Sequence, residues 1–173
     1  ATTAREASRE ADFVISLLKK YNCKLEMPVY YDLETEDQVD LTQSECTAVA
    51  RTFCEKVRAA GYFVGIYCNK YFARDELYAS RLSDFHFWIA EYNSKCTYDG
   101  EYGMWQYTET GRIAGLDRVC DKNYCYYDYP TYIKANGLNG FTRTQPVVNP
   151  QFGFKTGANL NVNEKNKTVI LKK

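Results

Sequence analysis

Residues 28–35 read "PVYYDLET", an apolar and aromatic run that closes on two carboxylates one residue apart. Val29 and the paired tyrosines favour a buried strand. Successive strand residues point to opposite faces, so Asp32 and Glu34, at i and i+2, share a face with Tyr30. A strand bound for a protein interior has little reason to end in two acids unless that end meets solvent or substrate. At the carboxyl end of a parallel barrel strand, this face opens on the mouth where barrel enzymes place their chemistry. The competing reading takes "DLETED" (32–37) as a solvated acidic loop after the strand.

Upstream, residues 4–21 carry Ala7, Ala11, Val14, Ile15, Leu18 and Tyr21 at helical spacing, which predicts an amphipathic helix. Downstream, Thr42 with Glu45 forms a capping box, and the following Cys46, Val49, Ala50, Phe53, Val57 and Ala60 share one helical face. Gly61 is placed to end that helix. "YFVGIYCN" (62–69) reads as a second buried strand, residues 70–82 as a third helix, and "FHFWIAEY" (85–92) as a third strand. Helix and strand in alternation imply βα units around a parallel sheet. After Tyr92 the pattern changes. "MWQY" (104–107) and "VCDKNYCYY" (119–127) are separated by polar links without a helical period, which favours short, hairpin-like connections. The fold expected is therefore α/β, a sheet or barrel finished by strands without helices.

From about Phe141 the composition shifts to Thr, Asn, Gly and Pro, with Pro146 and Pro150 close together. The expected organisation is a catalytic region over 1–140, then a linker and the start of an appended module over 141–173.

The 173 residues hold 22 basic and 22 acidic side chains, so no net field recruits nucleic acid or an anionic membrane. No apolar run is long enough to insert into a bilayer. Seven cysteines without a CxxC pair and a single histidine argue against a zinc ribbon or a multi-histidine centre, so neither metal nor cofactor is expected. The cysteines are read mainly as packing residues, although Cys120 and Cys125 are near enough in sequence to approach one another. His86 is read as structural because no nucleophile elbow accompanies it. Sixteen tyrosines offer flat amphipathic faces suited both to cores and to stacking on sugar rings.

Every later strand also ends in polar or aromatic groups: Tyr67 and Asn69, Trp88 with Glu91 and Tyr92, Trp105 with Gln106 and Tyr107, then Asp121 and Asn123. Gathered at one barrel end they make an acidic cleft walled by aromatics. Two carboxylates held together cannot ionise equally easily, and an acid beside an anion is what glycosidic bond cleavage requires. Two other readings stay open here: a catalytically silent glycan-binding module, and a hydrolase using Asp32, Glu34 and Asp121 as hard metal ligands.

The segments "PVYYDLE", "AAGYFVGIYCN", "FWIAEYN", "MWQYTETGRIAGL" and "VCDKNYCY", in this order and spacing, resemble the second half of a glycoside hydrolase family 25 lysozyme over roughly residues 1–140. The resemblance implies an N-acetylmuramidase cutting the β-1,4 bond between N-acetylmuramic acid and N-acetylglucosamine in peptidoglycan. It further implies a partial TIM-like barrel of the (β/α)5(β)3 type lacking its first strands, since the family's opening strand with its D-x-S type motif has no counterpart. Carried over by position, Glu34 matches the general acid, Asp32 the residue supporting the reacting sugar or its N-acetyl group, and Asp121 a third cleft acid. Tyr67, Trp88, Tyr92 and Trp105 match the sugar-binding groove, with Tyr30, Gln106 and Asn123 beside them. The partner implied is peptidoglycan, met by a monomer. No signal peptide is visible at "ATTAREASREAD", so a secreted or cell-wall location is inferred from the substrate alone.

Overall fold

The structure, a computed structural model, describes residues 1–143. Nearly all of the expected linker and module start over 141–173 lies outside the described residues. Helix α1 (Ala4–Lys20) starts on a Thr3 cap whose side chain accepts from the Glu6 N–H. Strand β1 (Val29–Asp32), the one-turn helix α2 (Glu36–Val39) and helix α3 (Gln43–Ala59) follow. The Thr42–Glu45 capping box opens α3 as expected, and Gly61, at φ +90°, lies just beyond its end. Strand β2 (Val64–Asn69), helix α4 (Lys70–Asp75), strand β3 (His86–Ala90), strands β4 (Met104–Gly111) and β5 (Cys120–Cys125), and helix α5 (Tyr129–Asn136) complete the order.

The five strands form one curled half-barrel sheet in the order β1-β2-β3-β4-β5. The register, Asp32 beside Tyr67, Tyr67 beside Trp88 and Trp88 beside Met104, divides the side chains into two faces. Tyr31, Leu33, Ile66, Cys68, Phe87 and Ile89 face one way, into a core with Ala7, Ala11, Val49, Phe53 and Val57 of α1 and α3. Tyr31 stacks on Phe53 at 4.0 Å and donates from its hydroxyl to Glu10 at 2.9 Å, tying β1 to both helices. The concave face carries Tyr30, Trp88 and Met104, and α5 fills its lower end with Tyr129 and Ile133. Gly65 is required there: a Cβ would stand 2.5 Å from both the Tyr30 ring and the His86 carbonyl oxygen.

Three expectations change. The helix expected over 70–82 stops at Asp75 and resumes as a single 3-10 turn, Ala79–Leu82. The break lets Leu77 and Leu82 both enter the core, while Gln43 donates to the Leu77 carbonyl and Thr47 accepts from the Tyr78 N–H. The link from β3 to β4 is not a hairpin, because the two strands are parallel; only β4 and β5 are antiparallel. The chain also ends its strands with a helix. Asp128 caps α5, Pro130 sits in its first turn and Gly137 closes it in the left-handed region, but its run of tyrosines imitates a continuing strand.

Cys120 and Cys125 stand at opposite ends of β5, opposite Gly111 and Met104, roughly 16 Å apart at strand rise and beyond disulfide reach. Cys46, Cys54 and Cys68 are buried, as packing residues are. No described helix is long and apolar enough to cross a membrane.

Candidate active site

The carboxyl ends of β1 to β4 meet at one rim, and β5, running the other way, brings Asn123 opposite Gln106. Asp32 is the last residue of β1. The Leu33 N–H still bonds the Tyr67 carbonyl at 2.9 Å, so the ladder carries the chain to Glu34 before it turns. Both carboxylates are exposed.

The charges of all three predicted acids reach Tyr67. Burial comes first in raising its hydroxyl far above the ordinary range, and the charges of Glu34, Asp32 and Asp121 add to it. Tyr92 is pushed up to about 12 by burial, then by Glu109, Asp121 and Glu34. Glu34 and Asp121 thus act on both tyrosines, and Asp32 on Tyr67. Among the described residues no three His, Cys, Asp or Glu side chains stand close enough to share a metal ion, so Asp32, Glu34 and Asp121 are not gathered as a ligand set.

Beneath the rim the aromatic side chains descend in steps. Tyr67 meets Trp88 edge-on at 4.8 Å, and Trp88 meets Tyr30 at 5.2 Å. The Trp88 indole donates to Asn123 at 2.8 Å. Tyr30 therefore stands one pleat below the carboxylates, near the floor where the Tyr129 hydroxyl and His86 Nδ1 lie 3.0 Å apart. Burial holds His86 down to about 4, so it is neutral at physiological pH and belongs to the packing of that floor.

Trp105 does not reach the cleft. It lies on the opposite face of β4, buried among Tyr107 and Tyr124, with its indole donating to the Glu91 carbonyl at 2.8 Å. The reason is the strand period: Trp105 and Gln106 are neighbours, so only one can point inward, and that one is Gln106. Its side-chain oxygen accepts from Tyr67 at 3.0 Å and Tyr92 at 2.9 Å. Asn69 caps α4 by accepting from the Phe72 N–H at 2.9 Å.

Two contributors were not foreseen. Gln38 of α2 is buried and accepts from the backbone N–H groups of Glu34 and Thr35, at 3.1 and 3.2 Å. The signal was present as Thr35-x-x-Gln38, a capping-box pattern. Lys70 bonds Glu91 at 2.8 Å, and Glu91 also accepts from the Thr97 N–H and hydroxyl at 2.6 and 2.7 Å. Lys70, Glu91 and Thr97 help line a cavity of about 480 Å³ that opens beside Glu34, Tyr67 and Tyr92. A smaller cavity of about 240 Å³, lined by Phe63, Val64, Phe85 and His86, lies at the other end of the strands, away from the acids.

Residues 1–116 match the family model described as glycosyl hydrolases family 25. Among solved structures, the CTP1L endolysin aligns with 79% of this chain and 47% of its own, at 27% identity and a TM-score of 0.64. The modular autolysin LytC from Streptococcus pneumoniae aligns with 70% of this chain and 31% of its own, at 25% identity and 0.59. GHIP, a glycosyl hydrolase 25 of Streptococcus pneumoniae, aligns with 78% and 60%, at 26% identity and 0.58. The chain spans about half the length of the endolysin it matches. No curated protein sequence matches it. With a family match over well more than half of its 173 residues and a fold similar to these solved structures, the chain belongs to glycosyl hydrolases family 25.

Proposed function

We propose that this chain forms the acid-bearing part of a peptidoglycan hydrolase, a muramidase that cleaves the β-1,4 bond between N-acetylmuramic acid and N-acetylglucosamine and acts at the cell wall. The observation that carries the reading is the placing of Asp32 and Glu34 at and just beyond the carboxyl end of a parallel strand, beside Tyr67, whose hydroxyl their charges and that of Asp121 help to raise. Glu34 protonates the leaving glycosidic oxygen. Asp32, held two residues before it, steadies the positive charge that develops on the reacting sugar or supports its N-acetyl group. Asp121 adds a third negative charge from β5. Tyr67, Tyr92 and Trp88 offer the aromatic wall, with Asn123 fixing the Trp88 indole; Tyr30 and Gln106 support that wall from below and behind.

The half-barrel is read as part of a (β/α)5(β)3 barrel, and residues 141–173 as a linker leading to a further module. The enzyme works as a monomer on its polymer.

The test is Glu34→Gln in the intact protein. General acid catalysis contributes roughly 10² to 10⁴-fold, so turnover in cell-wall clearing should fall by that factor while wall binding persists. Clearing at the parent rate between pH 4 and 8 would remove Glu34 as the acid. Wall binding by the parent without any clearing would establish a binding module in its place.

A further inference from the structure

Gln106 sits where a substrate contact was expected, yet it is 1% exposed and so lies behind the cleft wall. What it touches is a pair of hydroxyls. Its single amide oxygen is the common acceptor for Tyr67 and Tyr92, and those hydroxyls lie against one another as well. Its amide nitrogen has no hydrogen-bond partner among the described residues. A Gln amide turned over would put its NH₂ group against the same hydroxyls, which would then accept from it and keep their own protons for the cleft. The two arrangements present opposite chemistry to a ligand. A phenol has one proton, so a hydroxyl that has given it to Gln106 meets everything else as an acceptor.

We propose that Gln106 is a positioning residue that sets Tyr67 and Tyr92 as hydrogen-bond acceptors, so that the wall beside Glu34 selects a donor group of the glycan, a sugar hydroxyl or an acetamido N–H. This rests on the reading of the cleft as a glycan-cleaving site. Tyr92 is half exposed and supplies the accessible oxygen, while Tyr67 is nearly buried and holds the geometry behind it. A carbonyl or carboxylate of a ligand is turned away at this wall, since it would face phenol lone pairs and the charges of Glu34, Asp32 and Asp121.

The experiment measures binding of a soluble N-acetylglucosamine–N-acetylmuramic acid tetrasaccharide by calorimetry in the intact protein, with Glu34→Gln present throughout to prevent turnover. Gln106→Met keeps the length of the side chain and removes its acceptor. It should weaken binding about tenfold, the scale of one or two net hydrogen bonds. Tyr67→Phe with Tyr92→Phe should weaken it at least as much. Adding Gln106→Met to the two phenylalanines should then change the affinity by less than about twofold, because its partners are already gone. A full second loss in the phenylalanine background would show that Gln106 only packs, and parent-like binding by the two-phenylalanine variant would show that the hydroxyls select nothing. Gln106→Glu, whose carboxylate can only accept, should keep most of the parent affinity; a loss as large as that of Gln106→Met would show that the amide donates to the hydroxyls and that the wall does not select a donor. Because binding is read with the acid already removed, an error about Glu34 would appear in wall clearing and leave these affinities as they are.

Discussion

Gln38 is 2% exposed and never meets the solvent side of the cleft, but the backbone that presents Glu34 hangs on its side-chain oxygen. Gln38→Leu leaves two N–H groups without their acceptor, which should cost about 1 to 3 kcal/mol in urea unfolding and slow wall clearing. Gln38→Glu, whose carboxylate also accepts, should restore most of both; equal loss in the two variants would show that volume alone matters there. The carboxylates themselves were legible because Asp32 and Glu34 interrupt an apolar run at strand spacing. Gln38 was not, because a four-residue helix has too few turns to show a period, and only the Thr35-x-x-Gln38 pattern marks it. Trp105 was misplaced for a different reason. Its type suits a sugar platform, but the face of a strand residue is fixed by its neighbours, and Gln106 next to it already claimed the cleft side.

The elements differ in how openly they announce themselves. α3 carries a capping box, a long apolar face and a glycine stop, so its sequence and its structure agree almost residue for residue. The crossover from β3 to β4 carries no helix, and nothing in residues 91–103 marks the strands it joins as parallel. What replaces the helix is a clasp. Burial raises Glu91, but the Lys70 ammonium and the N–H and hydroxyl of Thr97 outweigh it and bring the carboxyl down to about 2. A depressed carboxyl stabilises the fold fully above its unfolded value near 4.5 and loses that contribution as pH falls through about 2. Glu91→Gln should therefore be less stable than the parent at pH 7, by on the order of 2 kcal/mol, with the gap closing between about pH 4.5 and 2. Urea midpoints across that range check it; a gap that stays constant with pH would mean that Glu91 acts by shape and not by charge. The same crossover places Tyr92, so loosening the clasp should weaken glycan binding before it slows chemistry.

At the largest scale, among the described residues strand order equals chain order, and each of β2, β3 and β4 lies parallel to the strand before it. As far as β3 that arrangement was legible from the alternation of helical and strand periods; the parallel pairing of β3 with β4 was not. The closure at the base was not, because it depends on one small polar residue in what reads as a loop. Asn139 is fully buried at φ +55°, a conformation that asparagine tolerates. Its oxygen accepts from the Phe63 N–H at 2.6 Å, and its nitrogen donates to the carbonyls of Leu25 and Met27 at 3.0 and 2.9 Å. Asn139→Ala should cost about 2 to 4 kcal/mol, since it strands three partly buried backbone groups and strains the turn; an unchanged urea midpoint would show that water replaces the side chain freely. The knot also has a consequence in time. As the chain leaves the ribosome, each strand from β2 to β4 can settle on its predecessor at once, but the base of the sheet must wait for a residue that emerges after all five described strands have passed. A translation stop just short of Asn139 would release a chain with paired strands and an unlocked base, which a protease could open from the Leu25 side.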